Sequence, residues 1–352
     1  MSLKSYYNLS KNMLFGKLNK RILPSFCTYA VTWKCNLQCS MCSIWRKKQE
    51  TEMTIQEIEE VFSRLSSLVY IRITGGEPFT RPDLMKIADV IKRKINPEIL
   101  HITTNGFYTD EIEEFLKKYG DPRLHLKISI DGNEKIHDDI RGMKGAYGRA
   151  VKTIIKACLL KKENQFNVGI NYTINPKNCS IEQFEEVYRL AERHEVGLYF
   201  DFAYLPPPLY SDQGNHLKDE YEYFKSHIEP VEQFFRFIKT HKLKGNFVEL
   251  LKQKYYLKGF QNRIIKDLNR PRPHCVELQS HLRILPNGNI PVCLYDSTTI
   301  GNLLESGIGN VWHNHKTEEL RRKVKKCAGC WAGCEVGPNA IFTGDIIKAL
   351  WY

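Results

Sequence analysis

Six short runs of β-forming residues alternate with longer helical patterns between residues 25 and 203, and this alternation limits the fold more than any other feature. The strands are predicted near 25–32, 69–74, 98–104, 123–131, 166–174 and 196–203, with an amphipathic helix between each successive pair. Such alternation is typical of βαβ units and a parallel sheet. Thr54 and Glu57 fit a capping box at the start of the first helix. The sequence therefore predicts an α/β fold.

The predicted strands are apolar on one face and polar on the other. In the fourth strand, Leu124, Leu126 and Ile128 alternate with His125 and Lys127. A parallel strand covered on both sides is apolar on both faces, and a closed eight-stranded barrel fills its interior with branched apolar side chains. We therefore predict a (β/α)6 partial TIM barrel whose polar strand faces line a lumen for a polar ligand. A half-solvated sheet is the alternative.

The pattern changes after the sixth strand. Residues 1–24 are predicted as a basic N-terminal extension, 25–204 as the partial barrel, 205–273 as a helical bridge and 274–352 as a small cysteine-rich β-hairpin/helix domain. Three prolines at 206–208 predict a stiff loop at the start of the bridge. The segment 281–293 predicts a hairpin that turns at Asn287 and Gly288.

Composition narrows the class of partner and the compartment. Lys and Arg (52) exceed Asp and Glu (40), which gives a net charge of +12. The basic residues are spread along the chain, so nucleic-acid binding is not predicted. The densest basic run, 321–326, either contacts an anion or is a basic last helical turn. With no apolar run of the ~20 residues a membrane span needs, and no signal peptide, a cytoplasmic protein is predicted. The mixed basic and apolar stretch 11–23 leaves peripheral membrane contact open.

Three cysteines lie in one short loop after the first predicted strand, namely Cys35, Cys39 and Cys42. In a reducing compartment, clustered cysteines indicate metal binding or catalysis, and thiolates select iron–sulfur clusters or zinc. A closed zinc site has four protein ligands, and no fourth Cys or His lies nearby in the sequence. Three ligands leave one iron of a cluster open to activate a further ligand. A plain electron carrier is the alternative.

This arrangement resembles the radical S-adenosylmethionine (radical SAM) superfamily, whose signature is Cys-x3-Cys-x2-Cys after the first strand of a (β/α)6 partial barrel. The GGEP segment at 75–78 is similar to the family's methionine-binding motif, and the SIDG segment at 129–132 to its ribose-contacting segment. The resemblance implies that a [4Fe–4S] cluster binds S-adenosylmethionine, whose reductive cleavage gives a 5′-deoxyadenosyl radical that takes a hydrogen atom from a substrate. The cofactor-binding residues it implies are Met41, Gly75, Gly76, Glu77, Pro78, Asn105, Ser129, Asp131 and Arg141.

A second group of cysteines lies near the C-terminus, namely Cys275, Cys293, Cys327, Cys330 and Cys334. It resembles the SPASM and twitch extensions of radical SAM enzymes, which carry auxiliary clusters. The third part of the group is Cys-x2-Cys-x3-Cys, and no cysteine follows Cys334, which departs from a full SPASM pattern. We predict one auxiliary [4Fe–4S] cluster, bound by Cys275, Cys293 and two of Cys327, Cys330 and Cys334. A structural zinc site is the alternative.

The sequence constrains the substrate less than the cofactor. Because residues 1–24 are too few for a leader-peptide-binding domain, a small or phosphate-bearing substrate is favoured for oxidation, epimerisation or rearrangement. A peptide- or protein-modifying maturase is the alternative, and an iron–sulfur electron-transfer or zinc-structural protein is the second. A reducing partner such as flavodoxin or ferredoxin is implied by the resemblance. Candidate acid–base residues are His101, His125, Tyr199 and Asp201, and the cysteines without ligand spacing are Cys27, Cys158 and Cys179.

Overall fold

The computed structural model describes residues 23–203, 221–245, 247–327 and 330–351, together with residues 7, 10, 11 and 14. The predictions for the rest of the N-terminal extension and for the proline-rich loop within 204–220 lie outside the described residues. Within the described ranges, no helix combines the length and the apolar character that crossing a membrane requires.

Seven parallel strands form the central sheet, in the order β6-β5-β4-β3-β2-β1-β7. The strands are β1 Phe26–Thr32, β2 Tyr70–Gly75, β3 Ile99–Thr104, β4 Leu124–Ser129, β5 Asn167–Ile174, β6 Gly197–Phe202 and β7 His281–Ile284. The first six confirm the predicted strands to within two residues. Their apolar side chains, among them Ile71, Ile73, Leu126 and Ile128, are fully buried against the outer helices.

Helices connect successive strands and cover the apolar face of the sheet. They are α1 Ile55–Ser63, α2 Leu84–Lys94, α3 Thr109–Tyr119, α4 Glu134–Arg141, α5 Ala146–Asn164 and α6 Ile181–Arg193. The capping box of α1 is confirmed, since Glu57 N donates to Thr54 Oγ1 and Thr54 N donates to Glu57 Oε2. Two helices, α4 and α5, lie between β4 and β5 where one was predicted. Gly142 causes the break, because its left-handed backbone ends α4.

Three helices lie in the described part of residues 205–273, and residues 241–245 and 266–273 are irregular. The helices are α7 Glu222–Ser226, α8 Ile228–Thr240 and α9 Phe247–Ile265. The C-terminal part contains β8 Asn289–Pro291, β9 Thr299–Asn302, α10 Ile308–His313, α11 His315–Lys326 and α12 Gly333–Thr343. A short 3₁₀ segment, Asp345–Trp351, packs against α9 and α12.

The pairing predicted for residues 281–293 is wrong. The strand β7 is parallel to β1, with Phe26 opposite His281 and Tyr29 opposite Ile284, so it extends the barrel sheet. The predicted turn does form, with Gly288 N donating to Leu285 O at 3.0 Å. It leads into β8, which forms the actual hairpin with β9. The free edge of β1 accounts for the difference, because its backbone groups need partners that a local hairpin would not supply.

Candidate active site

The loop that follows β1 brings the first three cysteines together. Cys39 is buried, and Cys35 and Cys42 are partly buried. Burial raises the pKa of Cys35 to about 12, and the neighbouring Cys39 and Cys42 contribute to that rise. The three thiols therefore lie within electrostatic reach of one another. A bound metal centre would reverse the shift, because metal-bound thiols are deprotonated.

Backbone hydrogen bonds fix this loop against the end of α4. Ser40 N donates to Ile140 O at 2.8 Å, and Gln38 N donates to Arg141 O at 3.2 Å. Gly142 has φ of +67°, and a Cβ there would lie 2.8 Å from Gln38 O. The residue that ends the helix is therefore also needed for the close approach of the loop.

The Arg141 guanidinium connects the cysteine loop with the end of β4. Its Nη2 lies 2.5 Å from Asp131 Oδ2, and its Nη1 donates to Cys39 Sγ at 3.7 Å. Asp131 also accepts from Thr173 N at 2.9 Å. The Nε of Arg141 is buried without a hydrogen-bond partner among the described residues. This N–H is free to donate a hydrogen bond to one more anionic group beside the cysteines.

The two glycines at the end of β2 lie against the backbone that leads into the cysteine loop. A Cβ on Gly75 would overlap Thr32 O, and one on Gly76 would overlap Lys34 O. Gly76 N donates to Thr32 O at 2.8 Å, and Glu77 N donates to Lys34 O at 2.8 Å. These glycines are therefore needed for the contact between β1 and β2, apart from any contact with a cofactor.

Glu77 holds the ends of β2 and β3 together. Its carboxylate accepts from Thr104 Oγ1 at 2.8 Å, from Asn105 N at 2.7 Å and from Phe79 N at 3.1 Å. Burial raises the pKa of Glu77 to about 7, and these hydrogen bonds oppose the rise. Pro78 follows at the first position of a short 3₁₀ turn. Glu77, the acidic residue of the motif, is therefore a buried acceptor that joins the ends of β2 and β3.

Three further predicted cofactor residues lie around the same edge of the sheet. Asn105 Nδ2 donates to Asn36 Oδ1 in the cysteine loop at 2.8 Å. Met41 Sδ lies 3.5 Å from Asn175 Nδ2, and Ser129 is buried where β4 ends. Because the strands are parallel, their C-terminal ends and the cysteine loop share one rim, and the structure brings the predicted cofactor residues to that rim.

A cavity of about 370 Å³ lies on the polar side of the sheet. Strand residues that line it include Thr28, Arg72, His101, Thr103, Lys127, Asn171, Thr173, Tyr199, Asp201 and Arg283. Its other walls include Met41 and Ile44 of the cysteine loop, Glu249, Lys252 and Gln253 of α9, and Gly333 and Cys334 of α12. The predicted polar lumen is confirmed, and it is contiguous with the cysteine loop.

Three of the four predicted acid–base residues line the lumen, namely His101, Tyr199 and Asp201. His101 Nδ1 lies 2.5 Å from Tyr70 Oη, and burial holds the pKa of His101 well below its usual range, so the imidazole is neutral. His125 is not among the lining residues, and burial lowers its pKa to about 4. Asp201 is the acidic member of the set, and burial raises its pKa.

The C-terminal cysteines come from three separate segments. Cys275 precedes β7, Cys293 follows β8, Cys330 lies just before α12, and Cys334 lies in its first turn. Cys293, Cys330 and Cys334 pack against one small apolar cluster, which Cys42 of the first loop also contacts. Cys275 is close enough to Cys293 for its pKa to respond to it. Cys327 is exposed and, with Cys275, lines a separate cavity of about 700 Å³.

A buried ionic network lies beside these cysteines and was not predicted. Arg283 Nε lies 2.8 Å from Glu277 Oε1 and also pairs with Glu335. His281 Nδ1 lies 2.8 Å from the same Glu277 oxygen. Cys334 Sγ lies 3.6 Å from Glu335 Oε1. The sequence signal for this network was that Glu277 and Glu335 each lie within two positions of a cysteine. That signal is too weak to predict a network by itself.

Sequence reasoning also missed the charged side chains of the lumen. Strand alternation placed Arg72 and Lys127 on the polar face but did not single them out. The charged residues Glu249 and Lys252 belong to α9, far along the chain, and no local pattern connects them with the strands. Only the tertiary structure brings these residues to one cavity.

A parallel partial barrel with three thiols at the rim of its first strand defines the class of radical SAM enzymes. The pattern of the Radical SAM superfamily matches residues 29–191, and that of SPASM, an iron–sulfur cluster-binding domain, matches residues 275–331. The chain is a radical SAM enzyme with a SPASM-type C-terminal domain. These domains bind [4Fe–4S] clusters and S-adenosylmethionine.

Its relatives differ in activity. The AdoMet-dependent heme synthase of Methanosarcina barkeri is 26% identical, over 92% of this chain and 95% of its own length. The GTP 3′,8-cyclase of Aquifex aeolicus is 25% identical, over 89% of this chain and 97% of its own length. The crystal structure of Streptococcus suis SuiB bound to precursor peptide SuiA aligns with a TM-score of 0.62 at 16% identity. The alignment covers 88% of this chain and 68% of the SuiB chain, which shows a shared fold.

Proposed function

We propose that this enzyme reductively cleaves S-adenosylmethionine at a [4Fe–4S] cluster held by Cys35, Cys39 and Cys42, and abstracts a hydrogen atom from a small polar substrate in the lumen. The observation that carries the proposal is the contact between the cysteine loop and the lumen. Met41 and Ile44, on either side of Cys42, line the same cavity as the polar strand residues.

The residues of the rim fit these cofactors. Three thiols in one loop are soft ligands that leave one iron of a four-iron cluster free. The unpartnered Nε of Arg141 is a donor for an anionic group beside that loop. When bound, the cluster and S-adenosylmethionine supply a strong hydrogen-atom abstractor, and the protein supplies binding, orientation and electrostatics.

The chain's own residues would carry out three tasks. Arg141 offsets negative charge at Cys39, to which it donates a hydrogen bond at 3.7 Å. Glu77 and the adjacent glycines hold the ends of β1, β2 and β3 at a fixed separation. Residues of α9 and α12 form further walls of the lumen, and α9 contributes charged groups to it.

The size of the lumen favours a small molecule over a peptide. Its volume of about 370 Å³ is near the lower end of the usual range for ligand pockets, ~300–1,000 Å³. The names of the heme synthase and the GTP cyclase, which match nearly the whole chain, also indicate small-molecule chemistry. A peptide substrate would have to present a single side chain to this cavity.

The proposal assigns the auxiliary cluster to Cys275, Cys293, Cys330 and Cys334. Burial favours Cys330 and Cys334 over the exposed Cys327 as the last two ligands. It also assigns a reducing partner such as flavodoxin or ferredoxin, and a cytoplasmic location, where thiols remain reduced.

The test is anaerobic reconstitution, a count of iron and sulfide per chain, and an assay of 5′-deoxyadenosine after addition of S-adenosylmethionine and a strong reductant. We expect about eight irons, as two four-iron clusters, and 5′-deoxyadenosine formation. Cys158→Ala is the matched control, because Cys158 lies on α5 away from both sites and should keep both properties. Iron without cleavage would indicate an electron-transfer protein, and about four irons with cleavage would make the C-terminal site zinc-bound or empty.

A further inference from the structure

One carboxylate of the lumen has no hydrogen-bond or ion-pair partner among the residues that the structure describes. The Asp201 carboxylate faces the cavity and makes no hydrogen bond or ion pair with any residue in the described ranges, although Lys127 and Arg72 are near enough to oppose the rise of its pKa. Its Oδ1 lies over the start of α12, where a Cβ on Gly333 would overlap it. The glycine between two cysteines of the C-terminal group therefore leaves the space that this carboxylate occupies.

The lumen also contains a guanidinium without a carboxylate partner. Arg72 donates to Cys334 O at 3.3 Å, and no acidic side chain of the described part of the chain forms an ion pair with it. The other lumen arginine, Arg283, differs, because Glu277 and Glu335 both pair with it. An unpaired guanidinium in a walled cavity is a binding group for a carboxylate or a phosphate.

The remaining lumen charges partly cancel and leave a positive excess. Glu249 Oε2 lies 3.2 Å from Lys127 Nζ, and Glu249 also pairs with Lys252. Two cations thus share one carboxylate. The Lys127 ammonium lies 3.9 Å from the centre of the Tyr199 ring, which adds a cation–π contact. Lys127, Lys252 and Glu249 together carry one net positive charge, and they line the same cavity as Arg72.

The Tyr199 ring occupies space that two glycines leave open. A Cβ on Gly169 would lie 2.6 Å from Tyr199 Cε2, and a Cβ on Gly197 would lie 2.7 Å from its hydroxyl. Side chains at these two positions would displace the ring into the lumen. The glycines therefore preserve the open volume in which Arg72 and Asp201 are exposed to a ligand.

We propose that the lumen binds a substrate with two recognition groups: an anionic group, carboxylate or phosphate, held by Arg72, and a hydrogen-bond donor, hydroxyl or ammonium, held by Asp201. This inference rests on the proposed function, since it names the class of molecule that the radical chemistry would act on. Lys127 and Lys252, which share Glu249, add positive charge to the same lumen, and Asp201 selects against molecules that carry only an anion.

The experiment measures probe binding to the reconstituted full chain by calorimetry at low salt. The probes are glycerol 3-phosphate and glycerate, which carry both groups, and glycerol and inorganic phosphate, which each carry one. At least one two-group probe should bind tenfold or more tightly than glycerol and inorganic phosphate. A preference for glycerol 3-phosphate over glycerate identifies phosphate as the anionic group, and the reverse preference identifies carboxylate.

Substitutions at three lumen positions assign that preference to the lumen. Arg72→Met should weaken binding of the two-group probe at least tenfold, and Asp201→Asn should weaken it at least threefold. Arg72→Lys, which keeps a positive charge, should bind the probe more tightly than Arg72→Met does. Gly333→Ala should mimic Asp201→Asn, because its Cβ would displace the carboxylate. Lys118→Met is the control, since Lys118 pairs with Asp89 on the surface. A two-group preference that survives in both Arg72→Met and Asp201→Asn, or no preference in the wild type, overturns the inference.

The same preparation separates this inference from the proposed function. Wild-type protein that cleaves S-adenosylmethionine but shows no preference among the probes retains the proposed function and loses this inference. Wild-type protein that contains iron but does not cleave S-adenosylmethionine loses the proposed function, whatever the probes do.

Discussion

The two cysteine sites are built in opposite ways. At the first site, eight consecutive residues carry all three thiols, and the supporting contacts come from Arg141 and from backbone groups of α4 and β2. At the second site, the thiols come from three segments separated by turns and helices, and two buried carboxylates, Glu277 and Glu335, lie beside them. The first site is a local motif held by its neighbours, and the second exists only when distant segments have assembled.

The charged side chains next to the thiols also differ between the two sites. A cation, Arg141, donates to a thiol of the first site, whereas Glu335 lies 3.6 Å from a thiol of the second. Burial raises the pKa of Cys293 to about 12, and Glu277 and Glu335 contribute while Arg283 opposes. Negative groups near a cluster lower its reduction potential. The two sites therefore differ in the charged side chain that lies nearest a thiol, Arg141 at the first and Glu335 at the second.

Replacing single cysteines tests most directly whether the two sites are independent. Cys39→Ala should reduce 5′-deoxyadenosine formation by at least a thousandfold, because the open-iron cluster is lost, and should leave about four irons per chain. Cys293→Ala should also leave about four irons but keep a measurable part of that activity. Iron counts and chromatographic assay of 5′-deoxyadenosine check both. Loss of all iron in either variant would show that the sites assemble together.

Removing the charge partner of Arg141 tests how much the first site depends on its support. Asp131→Ala should lower the free energy of unfolding by about 3–5 kcal/mol, because it leaves a buried guanidinium uncompensated. Urea denaturation measures the change. Asp139→Ala is the control, since Asp139 pairs with Lys177 at the surface and should cost less than about 1 kcal/mol. Equal losses in the two variants would contradict the role assigned to the buried pair.

Adding one methyl group to the rim tests the close contact between β1 and β2. Gly76→Ala should destabilise the protein by about 1–3 kcal/mol, because the new Cβ would overlap Lys34 O and force the cysteine loop to move. Gly148→Ala, in α5, meets nothing within 4 Å and should stabilise it by about 0.5–1 kcal/mol. Thermal unfolding of both variants gives the comparison. A neutral Gly76→Ala would mean that the loop is not fixed by this contact.

The buried Glu77 at the first site should make the free energy of unfolding depend modestly on pH. The native pKa of Glu77, about 7, is above its unfolded value of 4.5, so the native state retains a proton that the unfolded chain releases between these values. The free energy of unfolding should therefore fall as pH rises from about 5 to 7, by at most about 1.4 kcal/mol per unit. Glu77→Gln should lack this component in urea titrations at pH 5, 6 and 7. An unchanged slope would assign the dependence to other groups.

Local signals predicted the parts of the molecule that depend on short stretches of sequence. Strand alternation predicted β1 to β6 and the polar lumen, and spacing predicted the loop of Cys35, Cys39 and Cys42. The partner of β1 was missed because residues 281–284 satisfy a local hairpin pattern equally well, and only the free edge of the sheet decides between the two pairings. Arg72 and Glu249 come together through tertiary packing, so no periodicity connects them.

The parallel pairing of β7 with β1 also limits how this chain can be divided. With β7 absent, β1 would present an unpaired strand edge to other molecules, which is a site for aggregation. The C-terminal cysteine region therefore cannot be exchanged without changing the sheet of the barrel. Any region grafted in place of the C-terminal one would have to supply a strand in register with residues 26–29 before it could bring a cluster or a new wall to the lumen.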